Sequence, residues 1–219
     1  LSDLAVPVAT ATMEARLVDE LPSGPGWQFE PKWDGFRCLA FRAGDQVDLR
    51  AKSGKPLGRF FPEVVRMLAA LPCERFVLDG ELAIPVGDSL AFDALQLRLH
   101  PAESRVRRLS AETPAVYILF DRLLGSDGAS LLAEPLSRRR EALEAFFAAA
   151  SPVAERLRLS PATPELALAR RWLARTGGAL DGVVAKRLDG PYVPGERAML
   201  KVKRRRTADC VVGGFRYGT

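Results

Sequence analysis

The chain has 219 residues, of which 47% are hydrophobic and 27% charged, so its length and composition suit a globular protein with a packed core. The net charge of +5 and the pI near 9.4 permit an anionic partner without identifying one. The absence of a long apolar run, of a signal-peptide pattern and of closely spaced cysteines argues against a membrane span, secretion, a disulfide framework and a zinc site, and favours a reducing cytoplasm.

Short strands and a few helices are predicted along the chain from residue periodicity and turn signals. The predicted strands cover residues 27–30, 37–42, 46–50, 76–85, 115–123, 182–188, 199–203 and 210–217. One helix is predicted from Pro62, and a second from an N-cap at Ser137 to Ala150. A third is predicted to start at Thr163, as N-cap, and to stop at Gly177.

Strands and helices are mixed in this order without strict alternation. That pattern predicts an α+β fold with antiparallel sheets rather than a doubly wound parallel sheet. The sequence contains neither GxGxxG nor GxxxxGK[ST], so Rossmann-type and P-loop nucleotide sites lose their main support.

Basic residues are clustered in three places. The clusters are Arg105 with Arg107 and Arg108, then Arg138 to Arg140, then Lys201 to Arg206. Each cluster alone is typical of a solvated surface, whereas three of them together favour a polyanionic partner.

The segment from Glu30 to Arg37, EPKWDGFR, is the most informative for chemistry. Lys32 lies between a predicted strand and a glycine turn, where the backbone can approach a ligand closely. A lysine amine becomes a nucleophile at neutral pH when burial or nearby cations lower its pKa. Taken alone, the KxDGxR pattern is equally compatible with an exposed turn lysine.

Four further segments supply the other groups that nucleotidyl transfer needs. These are FVLDGEL at 76–82, YILFD at 117–121, DGVVAKR at 181–187 and LKVK at 200–203. They provide carboxylates for a divalent metal, an aromatic ring for a base, and two lysines that alternate onto one face of a strand.

The five segments, in this order, resemble the covalent nucleotidyltransferase superfamily and are most similar to ATP-dependent DNA ligases of the bacterial repair and end-joining type. The resemblance runs from Glu30 to Lys203. It implies the nucleotidyltransferase (adenylation) fold, with a nucleotide cleft between antiparallel sheets. It also implies that Lys32 attacks ATP, carries AMP as a phosphoramidate and passes it to the 5′-phosphate of a nick in duplex DNA.

The resemblance assigns further residues to nucleotide binding and catalysis. It places Glu30 by the adenine edge, Arg37 near the ribose and phosphates, and Phe120 against the adenine ring. It assigns Lys201 and Lys203 to the charge on the α-phosphate.

Metal and DNA binding are implied by the same resemblance. Glu81 and Asp181 match the carboxylates near Mg²⁺ or Mn²⁺, and Arg50 and Lys52 match the region that meets the nick. The sequence departs from the family pattern twice. Asp181 replaces a longer glutamate, which puts direct metal contact in doubt. Lys52 replaces an arginine and cannot make its bidentate contact, a role that Arg50 could share.

The domain organisation follows from the same comparison. Residues 1–207 are expected to form the adenylation domain, and residues 208–219 a linker and the start of a truncated OB-fold domain. The expected partners are nicked DNA and DNA-repair proteins, for a monomer associated with the bacterial nucleoid. An RNA ligase, a capping-type nucleotidyltransferase and a non-catalytic nucleic-acid-binding module remain alternatives.

Overall fold

A computed structural model describes residues 1–87, 89–175 and 180–203. Its strands are β1 Ala15–Leu17, β2 Trp27–Trp33, β3 Phe36–Ala43, β4 Gln46–Ala51, β5 Arg75–Ala83, β6 Pro85–Val86, β7 Ser89–Leu90, β8 Val116–Arg122, β9 Leu157–Leu159, β10 Leu180–Arg187 and β11 Met199–Val202. Its α-helices are α1 Pro62–Ala69, α2 Phe92–Arg98, α3 Glu103–Glu112, α4 Leu136–Ala150 and α5 Leu166–Ala174. Short 3₁₀ helices cover Gly58–Phe60 and Ser151–Val153.

Two larger sheets and a small β6–β7 hairpin organise these strands. The first sheet has the order β1-β11-β10-β2, and the second has the order β4-β3-β5-β8-β9. Most neighbours are antiparallel, while β1–β11 and β8–β9 are parallel. The predicted α+β class with mainly antiparallel sheets is therefore confirmed.

The larger core cluster lies against the second sheet. The inward residues of β3, β5 and β8 pack there with apolar residues of α1 and α4, such as Leu68, Leu143 and Phe146. On the first sheet, α5 covers β2 and β10, where Phe29 packs against Ala169. Because period-two alternation sends the opposite face of each strand away from these helices, the uncovered faces are free to form a site.

The structure alters several predicted boundaries. The strand that begins at Trp27 continues through Lys32 to Trp33. The helix predicted from Pro62 is present, with the proline in its first turn. Helices α2 and α3 were not predicted.

Two predicted helix caps were wrong. Helix α4 begins at Leu136, and Pro135 occupies the cap position without a side-chain hydrogen bond, so Ser137 is not the N-cap. Helix α5 begins at Leu166, and Thr163 Oγ1 instead accepts a hydrogen bond from the N–H of Glu165. The predicted stop at Gly177, the strand at 210–217 and the domain boundary at 207 lie outside the described residues.

The arginines of the first two basic clusters are largely paired within the chain. Four ion pairs join residues close together on helices: the exposed pairs Arg107–Glu103, Arg108–Glu112 and Arg138–Glu141, and the partly buried pair Arg140–Glu144. Their local pairing matches the solvated-surface interpretation of these runs better than a dedicated polyanion site.

Arg139 differs from its neighbours because it is buried. Its guanidinium binds both carboxylate oxygens of Asp121 at 2.8 and 3.1 Å, and both side chains are 1% exposed. It also donates to the carbonyl oxygens of Glu134 and Gly190. This residue therefore ties α4 to β8 and to the segment that follows β10.

Among the described residues, the longest apolar helical stretch falls short of what crossing a bilayer requires.

We expect Arg139→Met to lower the free energy of unfolding by about 3–5 kcal/mol, because it leaves the Asp121 carboxylate buried without its counter-charge. The adjacent Arg138→Met is the matched control, since it removes only an exposed pair and should change stability by about 0.5 kcal/mol or less. Urea denaturation of both variants checks this. Equal losses would contradict a structural role for the buried pair.

Candidate active site

A pocket of about 210 Å³ lies between the uncovered faces of the two larger sheets. Its lining residues come from β1, β2, β10 and β11 on one side and from β3, β5 and β8 on the other. Those that matter for chemistry are Glu14, Glu30, Lys32, Arg37, Lys52, Glu81, Phe120, Lys186 and Lys201. Of the site residues predicted from the sequence, all but Arg50, Asp181 and Lys203 line this pocket directly.

The first sheet sends alternate residues of three strands into the pocket. Glu30 and Lys32 are two positions apart on β2, and Met199 and Lys201 are two positions apart on β11. Strand β10 lies between them and adds Val184. The period of two therefore accounts for this half of the site.

Asp181 joins two of the lysines. One of its carboxylate oxygens, Oδ2, lies 2.8 Å from Lys32 Nζ and 2.6 Å from Lys203 Nζ. Partial burial alone would raise the pKa of Asp181, but the hydrogen bonds from Lys203 and Lys32 outweigh it and hold the pKa below its usual value. The carboxylate thus stays charged between two ammonium groups.

A β-bulge places Asp181 there. The pairing of β10 with β2 shifts between Leu180, opposite Trp33, and Gly182, opposite Lys32, so Asp181 is the extra residue. Gly182 permits this geometry, because a Cβ at its position would collide with the carbonyl oxygen of Val202 on β11.

Lys201 adds a third ammonium group to this wall. Burial lowers its pKa, and the nearby charges of Lys203 and Lys32 lower it further. Three lysines against the one carboxylate of Asp181 leave this wall with a positive balance, which suits a triphosphate.

The opposite wall is built around a buried carboxylate. Asp79 is fully buried and receives two hydrogen bonds from Arg37, at 2.6 Å to Oδ1 and 2.5 Å to Oδ2. Tyr192 donates a third at 2.7 Å, and its hydroxyl accepts the backbone N–H of Met13 at 2.9 Å. This network fixes Arg37 and attaches the segment before β1, which also lines the pocket.

Glu81 is opposite Arg37 on adjacent strands. Burial raises its pKa to about 7, although the charges of Arg37 and Lys32 act in the other direction. Gly35 packs against this position so closely that a Cβ there would lie 2.9 Å from Glu81 Cγ and collide with the backbone of Leu82. The glycine of the turn therefore lets Lys32 and Glu81 face the same pocket.

Phe120 also occupies a β-bulge. Strand β5 pairs Asp79 with Asp121 and Gly80 with Leu119, so Phe120 is the unpaired residue and turns toward the pocket. The Arg37 guanidinium lies 4.6 Å from its ring centroid and Lys186 Nζ lies 5.0 Å from it. An aromatic ring flanked by cations is suited to a planar, electron-rich base.

Glu30 lies at the inner end of the pocket and is 2% exposed. Lys186 Nζ lies 2.9 Å from its Oε2, and Gln28 donates to its Oε1 at 2.8 Å. Each oxygen keeps a further lone pair, so the carboxylate can still accept from a ligand.

Arg50 and Lys52 differ in their relation to the pocket, because only Lys52 is a lining residue. Arg50 binds Asp48 at 2.8 Å and the carbonyl oxygen of Gly54, which stabilises its own turn. Lys52 is 58% exposed and lies 3.0 Å from Glu14. Of the two, Lys52 is the residue that borders the pocket.

Sequence reasoning missed four residues of this site. Glu14 lines the pocket but belongs to none of the five motif segments. Asp79 and Lys186 stand inside the segments FVLDGEL and DGVVAKR, so the motifs contained them without revealing their partners. Tyr192 belongs to no motif, and its contact with Asp79 joins residues 113 positions apart. No periodic signal marks such a contact.

No group of three or more His, Cys, Asp or Glu side chains suited to a metal ion occurs in the described part of the chain. Mg²⁺ is commonly held by one or two carboxylates together with substrate phosphates. Glu81, which lines the pocket, and Asp181, beside Lys32, are two carboxylates suited to binding Mg²⁺ together with substrate phosphates.

Comparisons with known proteins agree with this geometry. The family model described as the ATP dependent DNA ligase domain matches residues 8–203. DNA ligase C2 of Mycolicibacterium smegmatis is 48% identical over 217 residues, which cover 98% of this chain and 59% of that protein. The chain therefore spans about three fifths of the length of this curated relative.

Solved structures of DNA ligases also match the fold of this chain. The ligase domain of M. tuberculosis LigD matches with a TM-score of 0.67 at 27% identity, covering 90% of this chain and 60% of that one. A mycobacterial DNA ligase D complexed with ATP and MES matches with a TM-score of 0.65 at 26% identity and the same coverage.

The raised pKa of Glu81 predicts a specific pH dependence of stability. Since the folded pKa of about 7 exceeds the unfolded value of 4.5, the stabilising contribution is complete below 4.5 and is lost as the pH rises through 7. Glu81→Gln should therefore gain stability relative to the parent chain as the pH rises, by up to about 3 kcal/mol. Urea denaturation of both proteins from about pH 4 to about pH 8 measures it. A constant difference would contradict the raised pKa.

Proposed function

The chain belongs to the family of ATP-dependent DNA ligase domains, and we propose that it is the catalytic core of a DNA-sealing enzyme in which Lys32 takes up AMP from ATP. The observation that carries this proposal is the position of Lys32. Its ammonium group is in the wall of the pocket, 2.8 Å from Asp181 and in the same lysine cluster as Lys201 and Lys203.

The two walls suggest how ATP is oriented. The adenine ring would lie against Phe120, with its amino group donating to Glu30 at the inner end of the pocket. Arg37 would contact the ribose and phosphates from the second sheet. The triphosphate would then extend along the lysine wall, which places the α-phosphate near Lys32.

The first chemical step forms one bond and breaks one. The Nζ lone pair of Lys32 attacks the α-phosphorus, an N–P bond forms, and the bond to the bridging oxygen breaks to release pyrophosphate. The ammonium group must first lose a proton to solvent, to which the Lys32 side chain is 25% exposed, while the charged Asp181 carboxylate 2.8 Å away would orient the amine for attack. Lys201 and Lys203 offset the negative charge that develops on the phosphate.

Glu81 and Asp181 would hold Mg²⁺ or Mn²⁺ together with phosphate oxygens. The ion would supply neutralisation of the phosphate charge when bound. Since Asp181 is shared by two ammonium groups, its metal contact competes with both of them.

The second substrate would be a nick in duplex DNA, whose 5′-phosphate accepts the AMP before the 3′-hydroxyl displaces it. Lys52, which lines the pocket, would attract that phosphate as a point charge. Arg50 would act mainly by holding the turn that carries Lys52. The enzyme would act in DNA repair in a bacterial cytoplasm. It would be a monomer with DNA-repair proteins as partners.

Lys32→Ala tests the proposal. Intact mass after incubation with ATP and a divalent metal should show a gain of one AMP in the parent chain and none in the variant, because the proposed nucleophile is removed. Lys55→Ala, at an exposed lysine away from the pocket lining, is the matched control and should still gain AMP. Pyrophosphate should reverse the gain. An undiminished AMP adduct on the Lys32 variant would rule out this nucleophile, and a gain from GTP in preference to ATP would favour a capping-type enzyme.

A further inference from the structure

We propose that a groove leading from the nucleotide pocket to an arginine-lined pocket binds the sugar–phosphate backbone of duplex DNA beside the nick. We call this surface the arginine groove, and define it by Phe36, Leu57, Leu99, Arg59, Arg66 and Arg107. The inference rests on the proposed function for the identity of the polyanion, and it adds a binding surface outside the catalytic pocket.

The groove begins at the catalytic pocket. An open depression of about 540 Å³ shares Arg37, Lys52 and Glu81 with the nucleotide pocket. Its other walls are mainly apolar and include Phe36, Leu57 and Leu99. A strand whose phosphate is held at Lys52 would therefore continue over an apolar surface, which suits the sugar faces of a nucleic-acid backbone.

The groove ends at a second pocket, of about 470 Å³. Arg59, Arg66 and Arg107 line it, with Glu103 as its acidic residue. It is built from α1, α3 and the 3₁₀ turn Gly58–Phe60. Three guanidinium groups against one carboxylate give this pocket a positive balance at neutral pH.

The two depressions are connected through the same pair of chain segments. Leu57 and Leu99 line the first depression, while Arg59 and Pro101 line the second. Arg59 Nη2 donates to the carbonyl oxygen of Pro101 at 3.0 Å, so the two segments are joined at the boundary. The Arg59 guanidinium also stacks on Phe60, 4.8 Å from the ring centroid. Its position is thus fixed while its remaining N–H groups can bind phosphate.

Two of the three arginines of this pocket differ from the arginines of the paired basic clusters. Arg59 and Arg66 are exposed, and neither has a carboxylate within ion-pair distance among residues 1–87, 89–175 and 180–203. Arg107 is paired with Glu103 at 2.6 Å, but that pair is more than 70% exposed on both sides and is weak. Two arginines without a carboxylate partner favour a polyanion over a neutral peptide.

An exposed leucine side chain also supports binding of a nucleic-acid backbone in the arginine groove. Leu99, which lines the first depression, is 48% exposed, which is high for a large apolar side chain. Contacts of arginine and lysine to phosphate set the register of a protein on duplex DNA, whereas apolar contacts can exclude water along the sugar edge. The arginine groove offers both kinds of contact on neighbouring segments of the chain.

The double variant Arg59→Ala/Arg66→Ala tests the groove in the full 219-residue chain. Binding to a labelled nicked duplex is measured over a series of salt concentrations, and AMP uptake by Lys32 is measured separately. Each lost phosphate contact should reduce the slope of log affinity against log salt by about 1. At low salt the affinity should fall about 5-fold per arginine. AMP uptake should equal that of the parent chain.

Arg170→Ala/Arg171→Ala is the matched control, because it removes two exposed arginines from α5 on the other sheet and the same total charge. The control should leave the salt slope unchanged. Equal effects of both double variants would show a general charge effect and overturn the groove. An unchanged salt slope in the Arg59/Arg66 variant would also overturn the groove. A parent chain that does not bind the duplex would do the same, and an acidic protein would then be the better candidate for binding to the two arginines. Failure of AMP uptake in the parent chain would instead count against the proposed chemistry, which keeps the two inferences apart.

Discussion

The shared ion pair at Asp181 is the interaction on which the proposed chemistry depends. One carboxylate oxygen holds Lys32 of β2 and Lys203 at the end of β11, while Asp181 itself belongs to β10 between them. Three strands thus converge on one charge. Without the bulge at Asp181, strict alternation would turn this side chain to the opposite face, and two ammonium groups would repel each other at the place where a phosphate must bind.

On the other sheet, a second buried network holds Arg37 in place. Asp79 orients Arg37 and accepts a hydrogen bond from Tyr192, which also holds Met13. Because Asp79 is fully buried, these donors are needed to offset the cost of removing its charge from water. The network gives the pocket a fixed wall, whereas the lysine wall is partly exposed and can exchange Asp181 contacts for those of a ligand.

Most of the site residues could be named from the sequence because the five motif segments resemble those of the DNA ligase family. Period two adds that Lys201 and Lys203 share one face of a strand, whereas the strand predicted at 27–30 ended before Lys32 and could not relate it to Glu30. Bulges break that pattern, so no periodicity could show that Phe120 turns into the cleft or that Asp181 reaches Lys32. The caps at Ser137 and Thr163 were misplaced because tertiary contacts, such as the hydrogen bond from Ser137 N–H to Leu188, set where those helices begin.

Binding of ATP in the cleft tests the central claim most directly, through a crystal structure of the 219-residue chain with ATP. The account predicts that the base lies against Phe120 with its edge at Glu30, and that the α-phosphorus lies within attacking distance of Lys32 Nζ or is already bonded to it. A nucleotide bound outside the cleft, or bound in reverse with its phosphates at Glu30, would contradict the account.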